Sequence, residues 1–112
     1  MAILLKELIN AQITDSTGDI NYTVGTQVRC KIIAASICNT EAATSYTVNV
    51  YKVPSGSSAG VSNKIINTRT LQAKETYPCP ELIGQILEVG DTLDADASTT
   101  LKLNFIVSGI EL

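Results

Sequence analysis

Apolar and polar residues alternate along much of the chain with a period of two. In the segment Val28-Arg29-Cys30-Lys31-Ile32 the even positions are apolar and the odd ones charged. That is the pattern of a half-buried strand, whose successive side chains point to opposite faces. The run Ile32 to Ile37 is apolar at nearly every position, as expected of a strand covered on both sides. Tyr46, Val48 and Val50 share one face of a second strand. Leu93, Ala95 and Ala97 alternate against Thr92, Asp94 and Asp96, and Leu101, Leu103, Phe105 and Val107 share a face near the end. Lys64 to Leu71 and Glu75 to Ile83 are weaker strand candidates.

Turn chemistry separates these runs. Asp15 to Asp19, Asn39-Thr40-Glu41 and Glu88 to Asp91 are short polar or glycine-bearing clusters. The longest connection is Pro54-Ser55-Gly56-Ser57-Ser58-Ala59-Gly60, read as a flexible loop. The spacing predicts seven to nine strands in a single all-β domain over 1–112, an antiparallel β-sandwich or jelly roll. Residues 1–11 allow three readings: a short amphipathic helix on Leu4, Leu5, Leu8 and Ile9, a first strand from about residue 7, or an arm packed on a neighbouring subunit. The strand is preferred because the rest of the chain is β.

Composition narrows the chemistry. The chain has 112 residues, net charge −3 and no histidine or tryptophan. Histidine-dependent triads, dyads and zinc motifs are therefore excluded, and the acidic balance lacks the basic footprint of a nucleic-acid binder. Apolar runs fall short of the ~20 residues of a membrane helix, and no signal peptide is expected, since Lys6 and Glu7 interrupt the first apolar run. The expectation is a non-enzyme with no cofactor, no metal, no nucleic acid and no membrane among its partners.

The three cysteines offer the sharpest alternatives. Cys30 and Cys38 lie eight residues apart in one predicted strand, ~26 Å at ~3.3 Å per residue. A disulfide needs Cα atoms within ~7 Å, so these two do not pair unless that strand is broken. Cys79 sits between Pro78 and Pro80, in a stretch read as extended and exposed. Either all three are reduced small hydrophobes, or one of them, Cys79 first, links subunits through a disulfide. Asp91, Asp94 and Asp96 could gather a calcium ion, but no EF-hand pattern accompanies them, and they read as a solvated polar edge. Loop 54–60 lacks the Gly-Lys-Ser/Thr ending of a phosphate loop.

Several phrases recur in a telling order: Ile37-Cys38-Asn39-Thr40, Val53-Pro54-Ser55-Gly56 with Ser58-Ala59-Gly60, Glu75-Thr76-Tyr77, Glu81-Leu82-Ile83-Gly84, Glu88-Val89-Gly90-Asp91, and Val107-Ser108-Gly109-Ile110-Glu111. That order, over about residues 20–112, resembles a family of short virion structural proteins of tailed bacteriophages. The sequence departs from that pattern at Val24-Gly25-Thr26, shorter than the family's usual turn and without its proline. The resemblance implies a non-catalytic decoration, collar or tail-associated subunit, assembled in the host cytoplasm and residing in the virion. Its implied partners are copies of itself, a trimer being favoured, and capsid, neck or tail proteins. Apolar residues that a lone domain has little use for are the contact candidates: Ile3, Leu4, Leu5, Leu8 and Ile9 in the N-terminal segment, and Tyr77, Leu82 and Ile83. Cys79, Cys38 and Cys30 are the disulfide candidates. An alternative reading is a fibre or spike-tip module that recognises a host receptor or glycan through loop 54–60.

Overall fold

The computed structural model describes residues 4–26 and 28–112. It is 54% strand, arranged as two antiparallel sheets packed face to face. The strands are β1 (Leu4–Gln12), β2 (Ile20–Thr23), β3 (Cys30–Asn39), β4 (Tyr46–Val53), β5 (Lys64–Leu71), β6 (Thr76–Tyr77), β7 (Ile86–Leu87), β8 (Thr92–Ala97) and β9 (Leu103–Glu111), with one 3-10 turn at Val61–Asn63. The first sheet has the order β1-β9-β3-β6, with β7 also on β3. The second has the order β2-β8-β4-β5.

The pairings nest. β1 pairs with β9, β2 with β8, β3 with β6 and β7, and β4 with β5. The chain is thus a long hairpin, bent between β4 and β5 and rolled so that its layers alternate between sheets. This is jelly-roll topology, one of the arrangements that all-β chains use to limit exposed strand edges. β1 begins at Leu4, so the N-terminal segment is a strand from the first described residue rather than from residue 7.

Strand parity builds the core. Leu103, Phe105 and Val107 of β9 and Ile32 and Ile37 of β3 point inward and are fully buried. They meet Val48 and Val50 of β4, Leu93 and Ala95 of β8, and Ile66 and Leu71 of β5. Two bulges adjust the registers, between Glu7 and Ile9 on β1 and between Ile32 and Ala34 on β3. Both flank Gly109 of β9. A Cβ at Gly109 would lie 2.8 Å from the Lys31 carbonyl oxygen, 2.9 Å from Leu8 Cδ1 and 3.0 Å from Cys30 Sγ. The missing side chain is therefore a packing requirement.

Proline explains why β6 and β7 are separate. Pro78 and Pro80 carry no N–H to donate, so the ladder beside β3 breaks. The chain turns through 79–84 and rejoins β3 through Gly84 N to Ile32 O at 2.8 Å and Ile32 N to Gln85 O at 3.0 Å. This overturns the extended, exposed reading of Cys79. The residue adopts a left-handed φ of 49°, and both it and Leu82 are fully buried. The buried Asn39 closes the other end of β3. Its Nδ2 donates to the carbonyls of Thr44, Leu71 and Gln72, and its Oδ1 accepts from Glu41 N at 3.0 Å.

Gly109→Ala should lower stability by about 1–3 kcal/mol, the usual cost of overpacking. The Lys31 carbonyl belongs to a paired strand and has little room to retreat. Urea unfolding checks this, with a lower midpoint and an unchanged slope as the expected result.

Candidate interaction surface

The outward positions of the two sheets have opposite character. On the second sheet they are Asn21 and Thr23 of β2, Thr92, Asp94 and Asp96 of β8, and Thr47, Asn49 and Tyr51 of β4. This face is satisfied by its own polar groups. Asp96 accepts from Asn49 Nδ2 at 2.8 Å and Tyr51 Oη at 2.7 Å, and Asn49 Oδ1 in turn accepts from Thr68 N at 2.7 Å. Burial by these neighbours pushes the Tyr51 phenol up to about 12.

On the first sheet the register aligns outward residues in rows: Leu5 with Ile110 and Lys31, then Glu7 with Ser108 and Ala34, then Asn10 with Ile106 and Ser36. Ile86 of β7 continues the first row beyond Lys31. Leu5 is 71% exposed, Ile86 51%, Ile106 43% and Ile33, at the bulge, 41%. A groove of about 340 Å³ runs over Gly109 between Leu5, Glu7, Ile33 and Ser108. The apolar run 32–37 is therefore covered on its inner side only. Its outer side belongs to a solvent-facing patch of the kind that marks interaction surfaces.

The contact candidates divide accordingly. Leu4, Leu5 and Ile83 are exposed and Leu8 is half-buried, packed against the core. Ile9, Tyr77 and Leu82 are core residues and drop out as contacts. Ile9 faces inward opposite Val107. Tyr77 is held under the Arg69 guanidinium, 3.8 Å from its ring, and donates its hydroxyl to Glu81 Oε2 at 2.6 Å. Ile3 lies outside the described residues. Sequence reasoning missed the rest of the patch, Ile33, Ile86, Ile106 and Ile110. The signal for Ile33, Ile106 and Ile110 was apolar character at both parities of β3 and β9, while Ile86, on the two-residue β7, had no such signal.

All three cysteines are free thiols. Cys79 and Cys30 are sealed in the core, and burial pushes the Cys79 thiol up to about 12 and the Cys30 thiol upward as well. Cys79 is thus removed as the leading cross-link candidate. Cys38 alone is partly exposed, on the outward side of β3 opposite Asn104. With a thiol reagent, the folded chain in dilute solution should react at about one site, Cys38, and at all three once denatured. Rapid native labelling of Cys79 would overturn the buried placement.

Beside Cys30, Glu111 closes the end of the sandwich where β1 and β2 approach. Tyr22 Oη donates to Glu111 Oε2, and Lys6 Nζ lies 3.3 Å from the same oxygen. The Tyr22 hydrogen bond holds the Glu111 carboxyl below its ordinary value, with Lys6 adding to the effect, while burial pushes the Tyr22 phenol up. A carboxylate whose folded pKa is depressed contributes stability that is present above the ordinary value of 4.5. That stability is lost as pH falls through the lower folded value. Tyr22→Phe should cost about 1.5–3 kcal/mol at neutral pH, as for a hydrogen bond to a charged group. The difference from the parent should shrink in acid, read as converging urea midpoints below the ordinary carboxylate pKa.

A second cleft, of about 300 Å³, lies between turn 15–19 and loop 54–60. It is lined by Thr17, Ser57, Ser58, Thr92 and Asp94, among others. Asp94 is only 6% exposed, not a solvated edge, and its Oδ1 accepts from Gly18 N at 3.0 Å and Ala95 N at 2.8 Å. Asp91 ties down the neighbouring loops by accepting from Ser55 N and Glu88 N, both at 3.0 Å. Loop 54–60 is further pinned by Asn63, which accepts from Gly60 N and donates to Ser58 O. It is a braced connection, not a loose one. The three aspartates are not brought together, and no metal-holding group of three or more acidic or cysteine side chains occurs among the described residues. Comparison with protein-family models, with curated proteins and with solved structures finds no match for this chain.

Proposed function

We propose that this chain is a non-catalytic structural subunit of a tailed-phage particle. In this reading it is a homo-oligomeric decoration or collar-type protein that docks on the capsid, neck or tail shell. The observation that carries the assembly role is the uncovered apolar face of the first sheet, set against the self-satisfied polar face of the second. A lone domain gains nothing from holding Leu5, Ile86 and Ile106 in water, whereas a subunit recovers about 25 cal/mol for each Å² of apolar surface it covers on assembly. The ordered turn and strand-end phrases from Ile37 to Glu111 support placing that assembly in a virion. Jelly rolls serve both capsids and lectins, so the fold is compatible with this role without selecting it.

One observation favours the alternative, a receptor- or glycan-binding module. The cleft under loop 54–60 presents hydroxyls of Thr17, Ser57, Ser58 and Thr92 around Asp94. A glycan array distinguishes the two readings, since the structural subunit should give no hits.

For the primary reading, particles purified from infected cells should carry the chain in fixed stoichiometry after gradient sedimentation. A chain that stays wholly in the soluble fraction, with assembled particles lacking it, would overturn the proposal.

A further inference from the structure

We infer that the outer face of the first sheet is a homotypic interface, occupied by a second copy of this chain related by a two-fold axis that runs along β9. This rests on the assembly reading above for its choice of face, and goes beyond it in naming the occupant.

The charges on the face argue for a second copy. Lys31 on β3 and Glu7 on β1 sit on opposite sides of β9, both exposed. Lys31 makes no ion pair among the described residues, and the Glu7 carboxylate takes only a long hydrogen bond from Asn10 Nδ2 at 3.4 Å. An isologous interface brings the same patch against itself, so what lies on its left meets what lies on its right. With the axis along β9, β1 of each copy covers β3 of the other. Each Lys31 then stands above the partner's Leu5 position and one outward step, ~6.8 Å, from the partner's Glu7. A lysine stem spans that distance, and two equivalent ion pairs frame the contact. A partner of uniform charge would satisfy one of these groups and repel the other.

The axis also determines what meets at the centre. Ile106 and Ile110 lie on β9 itself, so each packs near its own counterpart. Ile110 is flanked by Leu5 from one copy and Ile86 from the other, and Ile106 by Asn10 and Ser36. With the axis along β9 the overlap covers three strands, β1, β9 and β3, over about nine residues, roughly 14 Å by 30 Å from strand spacing and rise. That is about half the ~800 Å² per partner of a standard interface, which makes the pair a small, concentration-dependent one.

The sheet edges are poorer docking places. The free edge of β1 is broken by the bulge at Leu8. The free edge of β5 is broken where Thr68 takes a left-handed φ of 48°, between Lys64 and Arg69. Bulges and charges of this kind discourage strand addition. A face that complements itself closes at two copies, so this inference selects a two-fold pair over the trimer expected from the sequence.

Sedimentation of the purified full chain tests this. The expected species is a dimer, twice the 11.9 kDa of one chain; a monomer at every soluble concentration, or a trimer, overturns it. Ile106→Lys sets two like charges against each other at the axis and should weaken association by at least about tenfold. Thr47→Lys, on the outward side of the second sheet, should leave association unchanged. Both side chains point away from the core, so circular dichroism should show an intact β fold. Glu7→Lys should weaken the pair, and combining it with Lys31→Glu should restore it; failure of that rescue overturns the proposed axis. Cys38 gives an independent readout, because labelling of this thiol should slow as concentration drives pairing. Particle association separates the two readings. A monomeric chain still found on particles removes only the pairing inference, whereas a dimer absent from particles removes only the virion role.

Discussion

The register of β9 against its two neighbours is the constraint on which the rest of the structure depends. β9 is central in the first sheet, paired over nearly its full length with both β1 and β3. Its inward residues, Leu103, Phe105 and Val107, form the middle of the core. Because side chains alternate with a period of two, a slip of one residue would send these three into water and bring Asn104, Ile106 and Ser108 inside. That exchange would leave two polar groups unpaired in the core, so the register is held by packing on one side and by desolvation on the other. Gly109 fixes the same register at the far end, where the two bulged strands press close to its backbone.

The polar interior groups guard the ends of this frame. Asn39 gathers carbonyls from the segments entering β4 and leaving β5, so that the top of β3 is tied to the second sheet. Glu111 does the corresponding work at the last residue of β9, joining Tyr22 of the second sheet to Lys6 of the first. Each of these groups is costly to bury alone and is stabilising only with its partners in place. They therefore specify which loops meet, while the apolar alternation specifies only which way a strand faces.

That division explains how much was legible in the sequence. Alternation in β3, β4, β8 and β9 announced strands and their inward residues, because parity is a local property. The all-β class and the strand count followed from it. Which strands pair is a non-local matter, and the nested order was not readable beyond the general sandwich or jelly-roll form. The run 32–37 was ambiguous for the same reason: apolar residues on both sides are equally consistent with two covered faces or with one covered and one open. Cys79 reads as exposed because prolines flank it, and Tyr77 and Leu82 read as contacts because their apolar character is surplus to a lone domain. In the folded chain those prolines interrupt a strand, and the resulting turn drops the residues inward. Asp94 read as solvated from its charge, although backbone N–H groups from a distant turn and its own neighbour enclose it.

The two outer faces show where such a fold can change without unfolding. Inward positions of β9 and β3 are constrained by one another, since every volume change is felt across the sandwich. Outward positions share the same backbone but not those neighbours, so their chemistry is set by what lies outside. On the second sheet they have turned into a closed hydrogen-bond network around Asp96, which leaves few groups free for a partner. On the first they remain apolar with two opposed charges, Lys31 and Glu7, that form no ion pair among the described residues. Parity thus separates the chain into one set of residues that holds the jelly roll together and another that is available to choose its neighbour.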